Sequence, residues 1–117
     1  MMNPLPSSSP SAAIQVTVTF PSLEEAQQMA EFLVKERWVA CAQLNEIQSL
    51  YIWEDRMCHE AEIRLTLKTR MELFDELCVQ IQQRHSYQIP EIAAIPIIRE
   101  SEGYGAWIIS QTRRPAN

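Results

Sequence analysis

Large apolar side chains crowd one short segment of the chain, Leu50-Tyr51-Ile52-Trp53. Alternate residues of a β-strand point to opposite faces, so Tyr51 and Trp53 would share one face and Leu50 and Ile52 the other. A one-sheet domain within 117 residues covers only one sheet face with its own helices. The segment therefore predicts that another subunit buries the second face.

The strand that contains this segment is predicted to be unusually long. The run from Trp38 to Trp53 would span about 50 Å at about 3.3 Å per residue, whereas a domain of this size has a radius of gyration of about 13 Å. The apolar alternation changes phase between Leu44 and Ile47, which predicts a bulge near residues 45–46. The far half of the strand would then project from the domain. Closed association of identical subunits is the expected cover, and burial under the chain's own C-terminal helix is the alternative.

The remaining segments alternate between strand and helix patterns. Ser22 with Glu25, and Thr69 with Glu72, have the spacing of capping boxes at helix starts. Pro96 predicts a bulge or an edge in an apolar, otherwise buried strand. In order, the predicted elements are a strand at 14–20, a helix at 22–36, strands at 38–53 and 62–68, a helix ending near 84, a strand at 92–98 and a helix at 102–110.

This order predicts an α+β fold of the ferredoxin-like type, which is a split βαβ arrangement (βαββαβ plus a C-terminal helix) around one antiparallel sheet. We assign the domain to residues 14–112. Residues 1–13 are expected to form a flexible N-terminal tail, and residues 113–117 a C-terminal tail.

Composition excludes several classes of partner. The net charge is −5 and the ten basic residues are scattered, so neither a nucleic acid nor an anionic membrane surface is expected. No run approaches 18 apolar residues, so no membrane span is expected. The head of the chain lacks the features of a signal peptide, and three cysteines without a CxxC motif favour a reducing compartment. We therefore expect a cytoplasmic protein.

Four ordered motifs stand out along the chain. They are Lys35-Glu36-Arg37-Trp38-Val39-Ala40-Cys41-Ala42, Ser49-Leu50-Tyr51-Ile52-Trp53-Glu54, Glu62-Ile63-Arg64-Leu65-Thr66-Leu67-Lys68-Thr69-Arg70 and His85-Ser86-Tyr87-Gln88-Ile89-Pro90-Glu91-Ile92. Tyr104 and Trp107 follow near the end. Together these residues resemble the divalent-cation tolerance (CutA) family, and the resemblance covers about residues 14–112.

The resemblance implies a tight homotrimer with inter-subunit strand pairing, similar to the trimer of the PII signalling proteins. It also implies a role in tolerance of copper and other divalent cations, without a settled enzymatic activity. Some copper-associated members carry two adjacent His before a Pro, and a Cys in the first strand. In this chain those positions are Arg84-His85, Ser86 and Val18.

His85 and Glu91 are the candidate metal ligands, for a divalent cation such as Cu²⁺. An imidazole and a hard carboxylate would meet such an ion in a cleft between subunits. The alternative is that His85 caps the C-terminus of the preceding helix. A second acidic group surrounds the predicted hairpin tip, where it either holds a divalent ion loosely or keeps the turn solvated. Its members are Glu54, Asp55, His59, Glu60 and Glu62.

A small-ligand cleft at the subunit boundary is a further prediction, lined by Tyr51, Trp53, Lys68 and Tyr87. An ammonium beside aromatic rings suits a small anion or a nucleotide-like ring. In the alternative, the aromatic residues are interface anchors and Lys68 pairs with a carboxylate. The predicted trimer interface comprises Leu50, Ile52, Trp53 and Trp107.

Catalysis finds little support, because the chain has two His, two Gly and no Ser-centred elbow or phosphate-binding loop. We do not expect an enzyme. The first functional hypothesis is a homotrimer associated with divalent-cation (copper) tolerance that binds metal weakly. The alternative is a PII-like sensor or scaffold, which binds a small anionic metabolite and signals to an unknown protein partner.

Overall fold

The computed structural model describes residues 13–116. The predicted flexible tail lies outside this range, except for Ala13, which begins the first strand. None of the described helices is long and apolar enough to cross a membrane. The elements are β1 (Ala13–Phe20), α1 (Leu23–Lys35), β2 (Cys41–Trp53), β3 (Arg56–Arg70), a 3₁₀ turn (Met71–Leu73), α2 (Phe74–Arg84), β4 (Ile92–Pro96) and α3 (Tyr104–Gln111).

The four strands form one sheet in the order β2-β3-β1-β4, and every neighbouring pair is antiparallel. This order, with α1 and α2 as the two crossovers, is the split βαβ arrangement. The predicted α+β, ferredoxin-like fold class is confirmed.

The core lies between one face of the sheet and the helices α1 and α2. Alternate residues of β1 and β3 point toward these helices, as in the fully buried neighbours Val16 and Leu67. Leu33 of α1, with Leu77 and Ile81 of α2, fills the space above them. The apolar stripes of the two helices therefore cover one sheet face, as the sequence predicts.

Strands β2 and β3 form an uninterrupted hairpin. Their ladder runs from the pair Cys41 and Lys68 to the pair Trp53 and Arg56 with a constant register. The turn consists of Glu54 and Asp55, whose φ angles of 51° and 62° match a two-residue type I′ turn. The predicted bulge near residues 45–46 is therefore wrong, because the ladder gains no extra residue there.

The outer half of this hairpin projects from the domain. The molecule measures 59 × 26 × 24 Å, and its radius of gyration of 16.0 Å exceeds the ~13 Å typical of a compact domain of about 100 residues. Leu50, Ile52 and Met57 are 63%, 66% and 68% exposed. Helix α3 packs against Ala13 and Ala40 at the opposite end of the sheet, so it does not cover the hairpin.

The helix starts differ in part from the predicted capping boxes. Ser22 Oγ accepts a hydrogen bond from the Glu25 N–H at 3.2 Å, as predicted for α1. The second box is wrong, because Thr69 Oγ1 instead donates to the Trp38 carbonyl at 2.7 Å. Helix α2 therefore begins through a 3₁₀ turn without a side-chain cap.

The structure differs from the prediction at the last strand and beyond α3. Strand β4 is an edge strand, as Pro96 predicts, but it is not buried, since Ile95 is 58% exposed. Beyond α3, the Arg113 N–H donates to the Arg37 carbonyl at 2.9 Å, and the Arg113 guanidinium lies 4.0 Å from the Trp38 ring centroid. Part of the segment assigned as a C-terminal tail thus packs on the domain.

Candidate functional site

A cavity of about 690 Å³ lies between the projecting hairpin and the segment that follows α2. We call it the hairpin cleft. It brings together Tyr51, Trp53 and Tyr87 of the predicted ligand cleft with Glu91 of the predicted metal pair. The other residues that line it are Thr19, Ser49, Leu50, Glu62, Ser86, Gln88 and Ile89.

Strand alternation accounts for the hairpin side of this cleft. Ser49, Tyr51 and Trp53 are spaced two residues apart on β2 and therefore share the sheet face that points away from α1 and α2. On β3, Glu60 stands opposite Ser49 and shares this face with Glu62. The aromatic and acidic groups of the hairpin thus reach the same side of the sheet.

Two carboxylates hold the polar groups of the cleft. Tyr51 OH donates a short hydrogen bond to Glu60 Oε1. Glu62 is only 7% exposed, and its two oxygens accept from Ser49 Oγ and Tyr87 OH, both at 2.6 Å. Glu62 therefore connects the hairpin to the segment after α2. From the sequence, Glu62 is predicted only as a member of the acidic group around the hairpin tip, and its contact with Tyr87 is not predicted.

The predicted tip group is divided between the two faces of the hairpin. His59 stands opposite Leu50 in the ladder, and its Nε2 lies 2.7 Å from Gln48 Oε1. Glu60 and Glu62 point to the other face. Within residues 13–116, no group of three or more His, Cys, Asp or Glu side chains is arranged to hold a metal ion.

A carboxylate hydrogen bond and burial raise the pKa of both phenols in the cleft, and the larger cause differs between them. The hydrogen bond to the Glu60 carboxylate, followed by burial, raises the pKa of Tyr51 to about 12. For Tyr87, burial is the largest cause and the hydrogen bond to Glu62 the next, and both raise its pKa above its ordinary value. Both side chains are therefore neutral hydrogen-bond donors at neutral pH.

Alkaline titration of the tyrosine absorbance tests this arrangement. Because both pKa values are raised in the folded chain, the neutral phenols contribute stability that is fully present below pH ~10 and is lost as pH rises through the folded values. The native chain should therefore form phenolate at higher pH than the chain in denaturant. Tyr51→Phe and Tyr87→Phe should each remove part of the delayed absorbance. Coincident titrations of native and denatured chains would contradict the two carboxylate contacts.

His85 lies inside the fold, at the end of α2. Its Nε2 is 2.7 Å from the Thr19 carbonyl oxygen, and its Nδ1 accepts the Tyr87 N–H at 3.0 Å. A carbonyl only accepts and an N–H only donates, so these partners assign the proton to Nε2. The ring also stacks on Phe20, with 4.4 Å between centroids. The side chain thus contacts β1 rather than the end of its own helix.

Glu25 of α1 also contacts the residues that follow α2. Its carboxylate accepts from the Ser86 N–H at 3.0 Å and from Ser86 Oγ at 2.8 Å, and Oε2 lies 3.7 Å from His85 Nδ1. Both ring nitrogens of His85 are engaged, whereas Glu91 is exposed on the cleft. Ligation of a metal by His85 would therefore require one of its hydrogen bonds to break.

Lys68 lies apart from Tyr51, Trp53 and Tyr87, the other residues of the predicted ligand cleft. Its Nζ is 3.4 Å from both Gln43 Oε1 and Tyr104 OH. It stands six positions from Glu62 along β3, which is about 20 Å at about 3.3 Å per residue. Trp107, a predicted interface residue, stacks on Tyr104 with 6.0 Å between ring centroids and is 43% exposed.

The fold and the cleft define a class of small α+β protein, in which a ferredoxin-like sheet carries a long projecting hairpin with a pocket beside it. Residues 14–111 match the model of the CutA1 divalent ion tolerance protein family. The chain belongs to this family, which confirms the resemblance in its motifs.

Relatives and solved structures agree with this assignment. The divalent-cation tolerance protein CutA of Pyrococcus horikoshii is 38% identical over 101 residues, which are 86% of this chain and 99% of that protein. Its crystal structure superposes with a TM-score of 0.83. The CutA1 structure from Oryza sativa is 34% identical, has a TM-score of 0.85 and is matched over 91% of this chain and 98% of that one.

Proposed function

We propose that the chain acts in divalent-cation tolerance as a homotrimer whose projecting hairpins are buried by neighbouring subunits. The observation that carries this proposal is the exposure of large apolar side chains on both faces of the hairpin. Leu50 and Ile52 occupy the helix-side face and Trp53 the other, and each is more than half exposed in one chain. Such a strand end is an aggregation hazard unless it is covered.

The sheet edges support closed association. Strands β2 and β4 are the two edges of the described sheet, so each has one side with backbone groups that no described strand pairs. Different edges that meet between copies make a heterologous contact, which is self-limiting when it closes into a ring. A ring of three is what the family resemblance implies. No catalytic step is part of this proposal.

For the metal, we propose weak or conditional binding of a divalent cation such as Cu²⁺ through His85 and Glu91. Glu91 is exposed and accessible, whereas His85 has to exchange its Tyr87 N–H contact for the ion. That exchange lowers the affinity, because a buried hydrogen bond is lost as the metal bond forms. We place this activity in a reducing compartment such as the cytoplasm, since all three cysteines are free thiols.

Native mass spectrometry tests subunit number and metal together. Protein taken from cells without added metal should give the mass of three chains of 13.5 kDa each. Addition of Cu²⁺ should add metal mass in proportion to concentration, and Glu91→Gln should reduce that addition. A lone protomer at micromolar concentration would contradict the trimer, and equal copper uptake by native chain and Glu91→Gln would contradict the metal site.

A sensor or scaffold that signals to a protein partner is the second candidate function. The observation that favours it is the hairpin cleft, because about 690 Å³ falls within the ~300–1,000 Å³ of typical small-molecule sites. Its walls combine aromatic rings with a few convergent polar groups, which is the usual composition of such pockets.

A further inference from the structure

We propose that Glu62 fixes the orientation of the hairpin where it leaves the sheet, and so prepares the hairpin for contact with neighbouring subunits. We call the hydrogen bonds of Glu62 to Ser49 and Tyr87 the hairpin brace. The inference rests on the proposed trimer and names the residue that positions the surface between subunits. The brace forms within one chain, where Glu62 is only 7% exposed.

Glu62 lies where the support that β1 gives to the hairpin ends. The ladder of β1 with β3 reaches its last pair at Phe20 and Ile63, and Glu62 is the next residue toward the hairpin tip. From Glu62 to the tip, β3 has β2 on one side and no described strand on the other. A two-stranded hairpin is marginally stable by itself, so the projecting half is expected to flex from this point.

The carboxylate of Glu62 supplies a contact where strand pairing ends. It accepts from Ser49 Oγ of β2 and from Tyr87 OH of the segment after α2, each at 2.6 Å. Of the side-chain hydrogen bonds within residues 13–116, the bond to Tyr87 is the one that joins residues 46–62 to a part of the chain outside the hairpin. The bond of Tyr51 to Glu60, by contrast, lies within the hairpin.

Tyr87 is itself anchored on the body of the domain. Its N–H donates to His85 Nδ1 at 3.0 Å, and the centroids of the two rings are 4.9 Å apart. The side chain of His85 is buried against the Thr19 carbonyl of β1, and Ser86 donates twice to the Glu25 carboxylate of α1. The brace therefore connects the hairpin to the packed elements of the domain rather than to a free loop.

Ion pairing does not account for the position of Glu62. Arg64, opposite Thr19, and Arg56, beside the turn, share the sheet face of Glu62, so this face carries both signs of charge. Neither arginine forms an ion pair with Glu62 in the described part of the chain. The carboxylate is held by hydroxyl donors, whose bonds to a charged acceptor are stronger than those to a neutral one. A variant at Glu62 also alters the charge of this face, so it needs a control at Glu60.

A hairpin that is already oriented loses less conformational freedom when it meets a neighbour. Association costs free energy for every segment that has to be ordered, and a segment fixed in advance avoids part of that cost. Loss of the brace should therefore weaken assembly although Leu50, Ile52 and Trp53, the predicted interface residues of the hairpin, remain unchanged.

Two matched pairs of variants test the brace by sedimentation equilibrium of the full chain. Tyr87→Phe and Tyr51→Phe each remove a hydroxyl that donates to a carboxylate, but only the bond of Tyr87 leaves the hairpin. Tyr87→Phe should lower the association constant of the trimer at least about tenfold, which corresponds to about 1.4 kcal/mol, and Tyr51→Phe less than about threefold. Glu62→Gln, which has one acceptor oxygen instead of two, should likewise have a larger effect than Glu60→Gln.

Amide hydrogen exchange separates a local brace from a general loss of stability. In Tyr87→Phe, residues 46–62 should exchange at least about fivefold faster, whereas residues 74–84 of α2 should keep their native rates. Glu62→Gln and Tyr87→Phe remove the same bond. The double variant should therefore weaken assembly no more than the stronger of the two single variants.

Three results would each overturn the brace: equal effects of Tyr87→Phe and Tyr51→Phe, additive effects in the double variant, or faster exchange throughout the chain. A native chain that sediments as a monomer would contradict the proposed trimer instead. Hydrogen exchange of that monomer would then decide whether Tyr87 and Glu62 hold the hairpin.

Discussion

Ile52→Asp is expected to convert the assembled protein into monomers, or to precipitate it. In one chain Ile52 is 66% exposed on the face of the hairpin that continues beyond the helices. Burial of such a side chain by a neighbour contributes about 2 kcal/mol. An unpaired carboxylate in the same place adds a desolvation cost of at least similar size. Because the change occurs once in each subunit, the association constant of a trimer should fall by more than about a thousandfold.

Val79→Asp is the control for this experiment. Val79 is also an exposed apolar residue, but it lies on α2, away from the hairpin. It should leave the sedimentation coefficient of the native protein unchanged at micromolar concentration. If Ile52→Asp and Val79→Asp sediment alike as soluble assemblies, the hairpin is not the contact between subunits.

The sheet and its helices could be predicted because their sequence patterns record burial directly. In β1, apolar Ile14, Val16 and Val18 alternate with Gln15 and Thr17, and the structure buries the first set against α1 and α2. Local alternation determines which residues face the core, and the order of elements leaves few topologies. Both kinds of information lie within single segments of the chain.

The predicted bulge near residues 45–46 is wrong because the apolar pattern of β2 reports burial, not backbone geometry. Apolar residues record which face of a strand is covered, and the covered face changes along β2. Near Ala42 only the helix side is buried, whereas beyond Gln48 no helix of the same chain lies over the hairpin. Apolar residues then occupy both faces, since Leu50 and Ile52 lie on one face and Tyr51 on the other. The apolar alternation therefore shifts although the ladder has no break. A phase change of apolar residues can thus mark the end of the domain rather than a bulge.

The candidate site depends on contacts that no local pattern contains. Tyr87 meets Glu62 only because the segment after α2 turns back toward the hairpin, and these residues are 25 positions apart. Lys68 lies on the same sheet face as Glu62, yet the length of β3 separates them. Sequence identifies the residue types and the faces, while register and loop path determine which of them meet.

His85→Ala is expected to lower the free energy of unfolding by about 3 kcal/mol at fixed protein concentration. The change removes a ring stacked on Phe20, leaves the Thr19 carbonyl without its buried donor and removes the acceptor of the Tyr87 N–H. A buried group that loses its partner costs about 1–3 kcal/mol, and the vacated space adds to that cost. Urea denaturation followed by fluorescence measures the difference. Glu91→Gln, an exposed change in the segment between α2 and β4, should leave the free energy of unfolding within about 0.5 kcal/mol of the native value.

The same variant separates a structural role of His85 from a role as metal ligand. If the imidazole stabilises the fold through Thr19 and Tyr87, the loss of stability is the same in a chelator as with added Cu²⁺. The delayed phenolate absorbance should also decrease in His85→Ala, because Tyr87 is no longer held toward Glu62. A role mainly as metal ligand would give the opposite pattern, since metal stabilises the folded state only when it is bound. Native chain and His85→Ala would then unfold alike in the chelator and diverge as Cu²⁺ is added, and that result would contradict the buried hydrogen-bond pair as the main contribution of this residue.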